Sequence, residues 1–258
     1  MAAEVVLYEK KGKTAYITLN RPDKNNAINM EARKTLAGLW CEADTDPEVW
    51  SIILTGGDRV FSTGLDMAEL AEFRKKELLG NMPYTGMDVF GAHVSKPVIA
   101  AVSGYCLGGG FLMTMVAADL RIASRTAKFG MPEVKIGITP GLGIPVMLTA
   151  HFPQNVALDM LLLGHNLSAE DAYRFGYVSR VVPPGELLAE AEAVAKEIND
   201  MSPLVVKNIK RVIRTVTAPD SKGVAFSNAV CLMSRYSEDY IEGPRAFREK
   251  RKPAWKGR

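Results

Sequence analysis

Residues 96–120 read KPVIAAVSGYCLGGGFLMTMVAADL, and the order of events in that stretch decides the fold. Pro97–Ser103 is an almost wholly apolar run of strand length, the pattern of a strand buried on both faces of its sheet. GYCLGGG turns the chain, and FLMTMVAADL follows, apolar on nearly all sides and so an internal helix. A buried strand, a glycine-rich turn and a buried helix in succession define a layered α/β unit.

The rhythm recurs on either side. Val5–Tyr8 and Thr14–Leu19 read as a hairpin turning at Gly12. After the loop NRPDKNNAIN, Ala32, Leu36, Leu39 and Trp40 recur at helical spacing, and Trp50–Leu54 is a further buried strand. FSTGLDMAEL is a second loop and helix start, with Asp66 placed to cap the helix. Residues 71–95 are predicted as a helix and a mobile connection. Downstream, Leu120–Ala123, the residues around Phe129 and Tyr177–Val182 are short strands, and Val146–Leu148 lies in a helix. From Pro184 the period is helical: Leu187, Ala191, Val194, Ala195 and Ile198 form one stripe, with further helices expected over Leu204–Val216 and Ser221–Tyr240. No exact internal repeat is visible. The reading is a core over 1–199 and a helical region over 200–258.

Composition narrows the class. With 258 residues, 47% hydrophobic and 24% charged, the chain can enclose a substantial core and is not a disordered segment. The net charge of +3 is unevenly placed: residues 244–258 hold seven basic residues and one acidic, leaving 25 basic against 28 acidic in the rest. A mildly acidic body with a basic tail argues against a general nucleic-acid surface. Cys41, Cys106 and Cys231 are too few and too scattered for a disulfide framework or a structural zinc site, so reduced thiols in a cytoplasmic setting are expected, with no metal. The first fifteen residues carry charge where a secretory leader needs an apolar segment, and no run approaches the roughly 20 apolar residues of a membrane span.

Three glycine-rich loops, Phe61–Asp66, Gly104–Gly110 and Phe129–Gly143, are candidates for chemistry. GYCLGGG lacks the Lys-Ser/Thr of a phosphate-binding P-loop, and TPGLGIPV lacks the third glycine of GxGxxG. GGG is on its face a tight turn between strand and helix. It also leaves N–H groups at a helix start uncovered, with the positive end of the helix dipole behind them, which suits a developing oxyanion. Glu133, in FGMPEVKIG, is the ionisable exception in apolar surroundings. It reads either as a proton-exchanging carboxyl of raised pKa or as a loop glutamate paired with Lys135 or Lys128. His93, His151 and His165 are scattered and lack a nucleophile or second ligand; no GxSxG or HExxH occurs, and Ser62 and Ser103 have no evident base.

At these residues the sequence resembles the crotonase superfamily, the enoyl-CoA hydratase/isomerase family, over nearly its whole length. The resemblance is carried by NRPDKNNAIN at 20–29, FSTGLD at 61–66, KPVIAAVSGYCLGGG at 96–110, FGMPEVKIGITPGLG at 129–143 and EGPRAFREKRKPAWKGR at 242–258. It implies an α/β fold, a spiral of repeated ββα units followed by a C-terminal helical trimerisation region, with trimers often paired into hexamers. It implies an acyl-CoA thioester substrate, coenzyme A being part of the substrate rather than a cofactor. The thioester oxygen would lie between the N–H groups of Thr63 and Gly109. Asp23, Lys24 and Asn25, with Thr63, Gly64, Leu65 and Asp66, match positions along the CoA moiety; Phe247 and Lys250 match positions that reach CoA from a neighbouring subunit. Asp66 can equally be a helix cap, and Lys250 one of a solvated basic cluster.

One departure is informative. Family hydratases carry two catalytic glutamates, and the two positions here hold Leu112 and Glu133. Water addition uses two carboxylates on one water, whereas moving a double bond from the 3,4 to the 2,3 position needs one. The resemblance with this departure implies a Δ3-Δ2-enoyl-CoA isomerase working through Glu133. The alternative is a hydratase that recruits an acid from the variable stretch, Glu69, Glu72 or Asp88. Hydrolase and dehalogenase branches need an extra nucleophilic carboxylate that has no evident place here. A reading of another class is a non-catalytic assembly or RNA-binding homologue, favoured by Leu112 and opposed by Glu133 and the intact loops.

Overall fold

The computed structural model describes residues 4–75 and 86–257. In chain order the elements begin with β1 (Val6–Lys11) and β2 (Thr14–Leu19), joined at Gly12 with φ +56. Then come α1 (Met30–Thr45), β3 (Ser51–Thr55), α2 (Met67–Lys75), β4 (Val98–Val102), β5 (Tyr105–Leu107), α3 (Gly109–Val116), β6 (Leu120–Ser124) and β7 (Lys128–Gly130). The chain continues through α4 (Ile144–His151), α5 (Gln154–Leu158), β8 (Asn166–Ser168), α6 (Ala169–Arg174) and β9 (Arg180–Val182). It ends in α7 (Leu187–Asn199), α8 (Pro203–Val216), α9 (Ser221–Ser234) and α10 (Glu238–Arg248). Of the expected elements over 71–95, residues 76–85 lie outside the described residues.

Two compact units are distinguished: Met1–Phe129 with Ser168–Thr217, and Gly130–Leu167 with Ala218–Arg258. Residue 200, the boundary read from the change to helical periodicity, lies between α7 and α8, which both belong to the first unit.

The first unit is built on a sheet of order β1-β2-β3-β4-β6-β9. β1 and β2 are antiparallel, and every other pairing is parallel, with Ile53 beside Ile99 and Ala101 beside Ile122. All five residues of β3 and of β4 are buried, as continuous apolar strands covered on both faces require. The helical stripe of α7 closes one face: Leu187, Ala191, Val194 and Ala195 pack on Tyr16, Ile53, Ile99, Ala101 and Ile122. α1 starts at Asn29, whose side chain accepts from the Ala32 N–H, and it buries Leu36 and Trp40. The indole N–H of Trp40 reaches the Val89 carbonyl at 3.0 Å.

α8 inverts the usual amphipathic arrangement. Lys210 is buried, its Nζ lying 2.6 Å from Asp119 Oδ2 and donating to the Lys96 carbonyl at 2.6 Å. Leu204, Val205, Ile209, Val212, Ile213 and Val216 are all more than half exposed on its other face.

In the second unit, Pro132–Ile136 forms a 3-10 turn and Asp159–Leu163 a π-helical turn. The helix expected over Ser221–Tyr240 is two helices, because Ser237 starts a new one by accepting the Tyr240 N–H at 3.1 Å. α10 packs on the 132–136 turn at Gly243, where a Cβ would lie 2.0 Å from the Ile136 carbonyl oxygen. α9 is tied to the TPGLG segment by Cys231 Sγ to the Thr139 carbonyl, 3.1 Å, and by the Gly143 N–H to Asn228 Oδ1, 3.2 Å.

Candidate active site

Two of the glycine-rich loops meet backbone to backbone within the first unit. Ser62 pairs with the strand at Cys106: its N–H donates to the Tyr105 carbonyl at 2.9 Å, and its own carbonyl accepts from Leu107 at 2.8 Å. The Ser62 hydroxyl is buried, donating to the Asn26 carbonyl at 2.8 Å and accepting from the Gly64 N–H at 3.1 Å. Ser62 is thus a structural staple and no nucleophile. Glycine is demanded at the crossing, because a Cβ on Gly110 would stand 2.7 Å from Ser62 Cβ, and one on Gly64, at φ +87, would stand 2.8 Å from the Gly109 nitrogen.

This crossing corrects one expected donor. The Thr63 N–H is spent on the Asn25 carbonyl at 3.1 Å, so it is not free to hold a substrate oxygen. Ile28 donates to the Gly64 carbonyl at 2.7 Å and accepts from the Asp66 N–H at 3.2 Å, which leaves the amide between them. That Leu65 N–H makes no hydrogen bond among the described residues, and its nitrogen lies 3.7 Å from where a Cβ on Gly109 would be. Gly109 is the first residue of α3, and its N–H belongs to the first turn, which has no intrahelical acceptor. Two uncommitted backbone N–H groups therefore lie side by side, with the positive end of α3 behind one of them. Such a pair can hold a developing oxyanion. The sequence signal for Leu65 was Gly64 itself, whose positive φ changes which of the neighbouring amides turns toward Gly109.

The other expected contacts in this unit cluster around the same loops. Asp23, Lys24 and Asn25 are exposed in the turn Pro22–Lys24 and its cap. Buried Asn26 ties that turn to the 56–60 loop, donating to the carbonyls of Gly56 at 2.9 Å and Val60 at 2.8 Å. Asp66 caps α2, accepting from the Ala68 and Glu69 N–H groups, and pairs with Arg21 Nη1 at 3.0 Å. Burial opposes ionisation of Asp66, yet the bonds from Arg21 and the helix start hold its pKa below the ordinary carboxylate range. Leu112 is fully buried on α3, and its side chain offers no carboxylate.

In the second unit, Glu133 sits in the first turn of Pro132–Ile136. Of the two readings, the structure supports the buried carboxyl: Oε2 is covered and has no hydrogen-bond partner among the described residues. Burial pushes its pKa up to about 7, against a smaller opposing effect of its own backbone N–H. Phe247 is exposed on α10, and Lys250 follows that helix at φ +53. Among the alternative acids, Glu72 and Asp88 are exposed. Glu69 accepts the Met30 N–H at 3.0 Å through Oε1, while its Oε2 is buried with no hydrogen-bond partner among the described residues. Among the described residues no cluster of His, Cys, Asp or Glu could hold a metal ion.

The profile of the Enoyl-CoA hydratase/isomerase family matches residues 9–258. The chain is 37% identical over 254 residues to the short-chain-enoyl-CoA hydratase of Clostridium acetobutylicum, covering 96% of this chain and 95% of that protein. It is 38% identical over 261 residues to the (E)-benzylidenesuccinyl-CoA hydratase of Thauera aromatica, covering 98% and 99%. Among solved structures, carnitinyl-CoA hydratase from Mycobacterium avium superposes with a TM-score of 0.88 at 36% identity over 100% of both chains. The chain belongs to the enoyl-CoA hydratase/isomerase family and has the crotonase fold. It is accordingly an enzyme of acyl-CoA thioesters. No helix among the described residues is long and apolar enough to cross a membrane.

Proposed function

We propose that the chain moves the double bond of a 3-enoyl-CoA to the 2,3 position through a thioester enolate. The Leu65 and Gly109 N–H groups hold the thioester oxygen. Glu133, as carboxylate, removes a proton from C2; the electron pair passes to the oxygen, giving a dienolate. The protonated Glu133 returns the proton at C4, the double bond settles between C2 and C3, and the carboxylate is regenerated. Each fixed donor is worth roughly 2.7–4 kcal/mol at the charged stage. Asp23–Asn25 and Thr63–Asp66 lie along CoA, with Phe247 and Lys250 reaching it from a neighbouring copy.

The observation that carries this reading is the Glu133 carboxyl: buried, without a partner at Oε2 and with its pKa at about 7, it can take and return a proton near neutrality. Leu112 in the place of a second acid supports one-base chemistry. Hydration is the second reading, favoured by relatives named as hydratases; Glu69, with its unpartnered Oε2, is then the acid to examine. Purified protein is given a 3-enoyl-CoA and, separately, a 2-enoyl-CoA in water. Double-bond migration supports the first reading, and rapid hydration without migration overturns it. Gly109→Pro, shown to be folded, should lose turnover in either case.

The exposed apolar face of α8 supports assembly into trimers, singly or paired. Three of the seven basic residues of the tail pair with acids on α10 or just after it: Arg251 with Glu242 and Glu249, Arg245 with Glu249, and Lys256 with Glu238. That pairing supports a structural tail over a nucleic-acid surface; strongly salt-dependent RNA binding without acyl-CoA turnover would reverse the judgement.

A further inference from the structure

α3 presents one oxyanion donor at its first residue, and the groups that hold the helix are gathered at its other end. Its side chains are almost all apolar: Phe111, Leu112, Met113 and Met115 are buried. Apolar packing alone is tolerant of small slides and rotations. The carbonyls of the last turn have no acceptor role within the helix. Two arginines from different elements take them up. Arg121, on β6 and nearly buried, donates through Nε to the Thr114 carbonyl at 2.9 Å and through Nη2 to the Ala118 carbonyl at 2.9 Å. Arg214, on α8, donates through Nη2 to the carbonyls of Val116 at 3.1 Å and Ala117 at 2.7 Å.

Both guanidinium groups are themselves held. Arg121 lies over the Tyr177 ring at 4.5 Å, and the Tyr177 hydroxyl meets the Thr114 hydroxyl, the one polar side chain of α3, at 2.8 Å. Arg214 is 3.6 Å from Asp119, which also accepts the Val98 N–H at the start of β4, 2.8 Å. A rigid fork that bonds two carbonyls at once fixes both the depth and the rotation of a helix, which a lysine point charge does not. Positive charge at the C-terminus also complements the dipole whose other end faces the hole.

We propose that Arg121 and Arg214 are positioning residues for the oxyanion hole, setting where the Gly109 N–H stands by gripping the far end of α3. The inference rests on the reading of Leu65 and Gly109 as the hole. An acetoacetyl-type β-ketoacyl-CoA separates the two ideas, because its enolate has its own ultraviolet band and reports the hole without turnover. Bound to the wild-type protein, the probe should ionise at lower pH than free in solution. In Arg214→Gln that advantage should shrink about tenfold, kcat on the enoyl-CoA that the wild type uses should fall about ten- to hundredfold, and KM should stay within about twofold, because a donor displaced by a fraction of an ångström weakens the charged stage and not CoA binding. Arg214→Lys should recover only part of the loss. Arg121→Lys serves as the second variant, and each is compared at matched assembly state and melting temperature. Folded variants with wild-type enolate ionisation and wild-type kcat overturn the positioning role. A wild-type protein that binds the probe without easing its ionisation overturns the hole itself, and the positioning role with it.

Discussion

Replacing Glu133 by glutamine is expected to make the protein more stable while it removes the proposed base. Burial raises the Glu133 pKa from 4.5 to about 7, and each unit corresponds to about 1.4 kcal/mol. The folded state prefers the protonated carboxyl, while the unfolded chain ionises near 4.5. The folded state is therefore least penalised below that pH, loses stability as the pH climbs toward 7, and beyond it carries a cost of about 3 kcal/mol for holding a buried carboxylate. Glutamine has nearly the same shape and no charge. Its gain over glutamate should be about 1 kcal/mol at pH 5 and about 3 kcal/mol at pH 8. Urea unfolding of both proteins at the two pH values, at one fixed protein concentration so that assembly does not enter, measures the difference. A gap that is the same at both pH values would refute the reasoning, for it would mean that Glu133 is ordinary in its ionisation. The same titration predicts that kcat/KM of the unaltered enzyme rises through pH 7 to a plateau, following the carboxylate.

Gly64→Ala places a Cβ 2.8 Å from the Gly109 nitrogen in a left-handed backbone; turnover should fall by about 10²-fold or more, as when a donor is removed, with binding of a CoA ester measured alongside by calorimetry. Ile209→Asp combined with Val212→Asp puts charge on the exposed face of α8, and light scattering should then show smaller assemblies than the wild type forms; unchanged size would place the interface elsewhere. Leu187→Ala opens the packing between α7 and the sheet and should cost about 2–5 kcal/mol in unfolding free energy, leaving the pH at which kcat/KM turns where it was.

The parts legible in the sequence are those where one period speaks without competition. Pro97–Ser103 has no polar residue until its end, so it can only be a strand covered on both sides, and β4 is such a strand. Leu187, Ala191, Val194 and Ala195 recur at helical spacing and pack as one face. The three-residue strands β5 and β8 are too short to leave a period, whereas β7 lies where a short strand is read around Phe129. The break between α9 and α10 was hidden because the residues around it are as helix-compatible as their neighbours; the cap at Ser237 decides it. The division into units could not be read from a chain position, since each unit is assembled from two separate segments. At the site, the loops that GGG and the PE pair mark carry the uncommitted Gly109 amide and the covered Glu133 carboxyl, but which amide is left free, Leu65 and not Thr63, depends on the dihedral of one glycine. Whether Glu133 is wet or dry depends on packing that no local pattern carries.

The crossing of the 62–65 and 105–110 segments also bears on how such an enzyme can change. The two donors proposed there are main-chain amides, and the Leu65 side chain is 37% exposed. A substitution at residue 65 can reshape what lies around the acyl chain and leave the donor where it was. On the proposed function, substrate preference and enolate chemistry are thereby written in separate parts of the same residue, so that one can drift while the other is kept, whereas Gly64 and Gly110, whose added Cβ atoms would meet Gly109 and Ser62, have no such freedom.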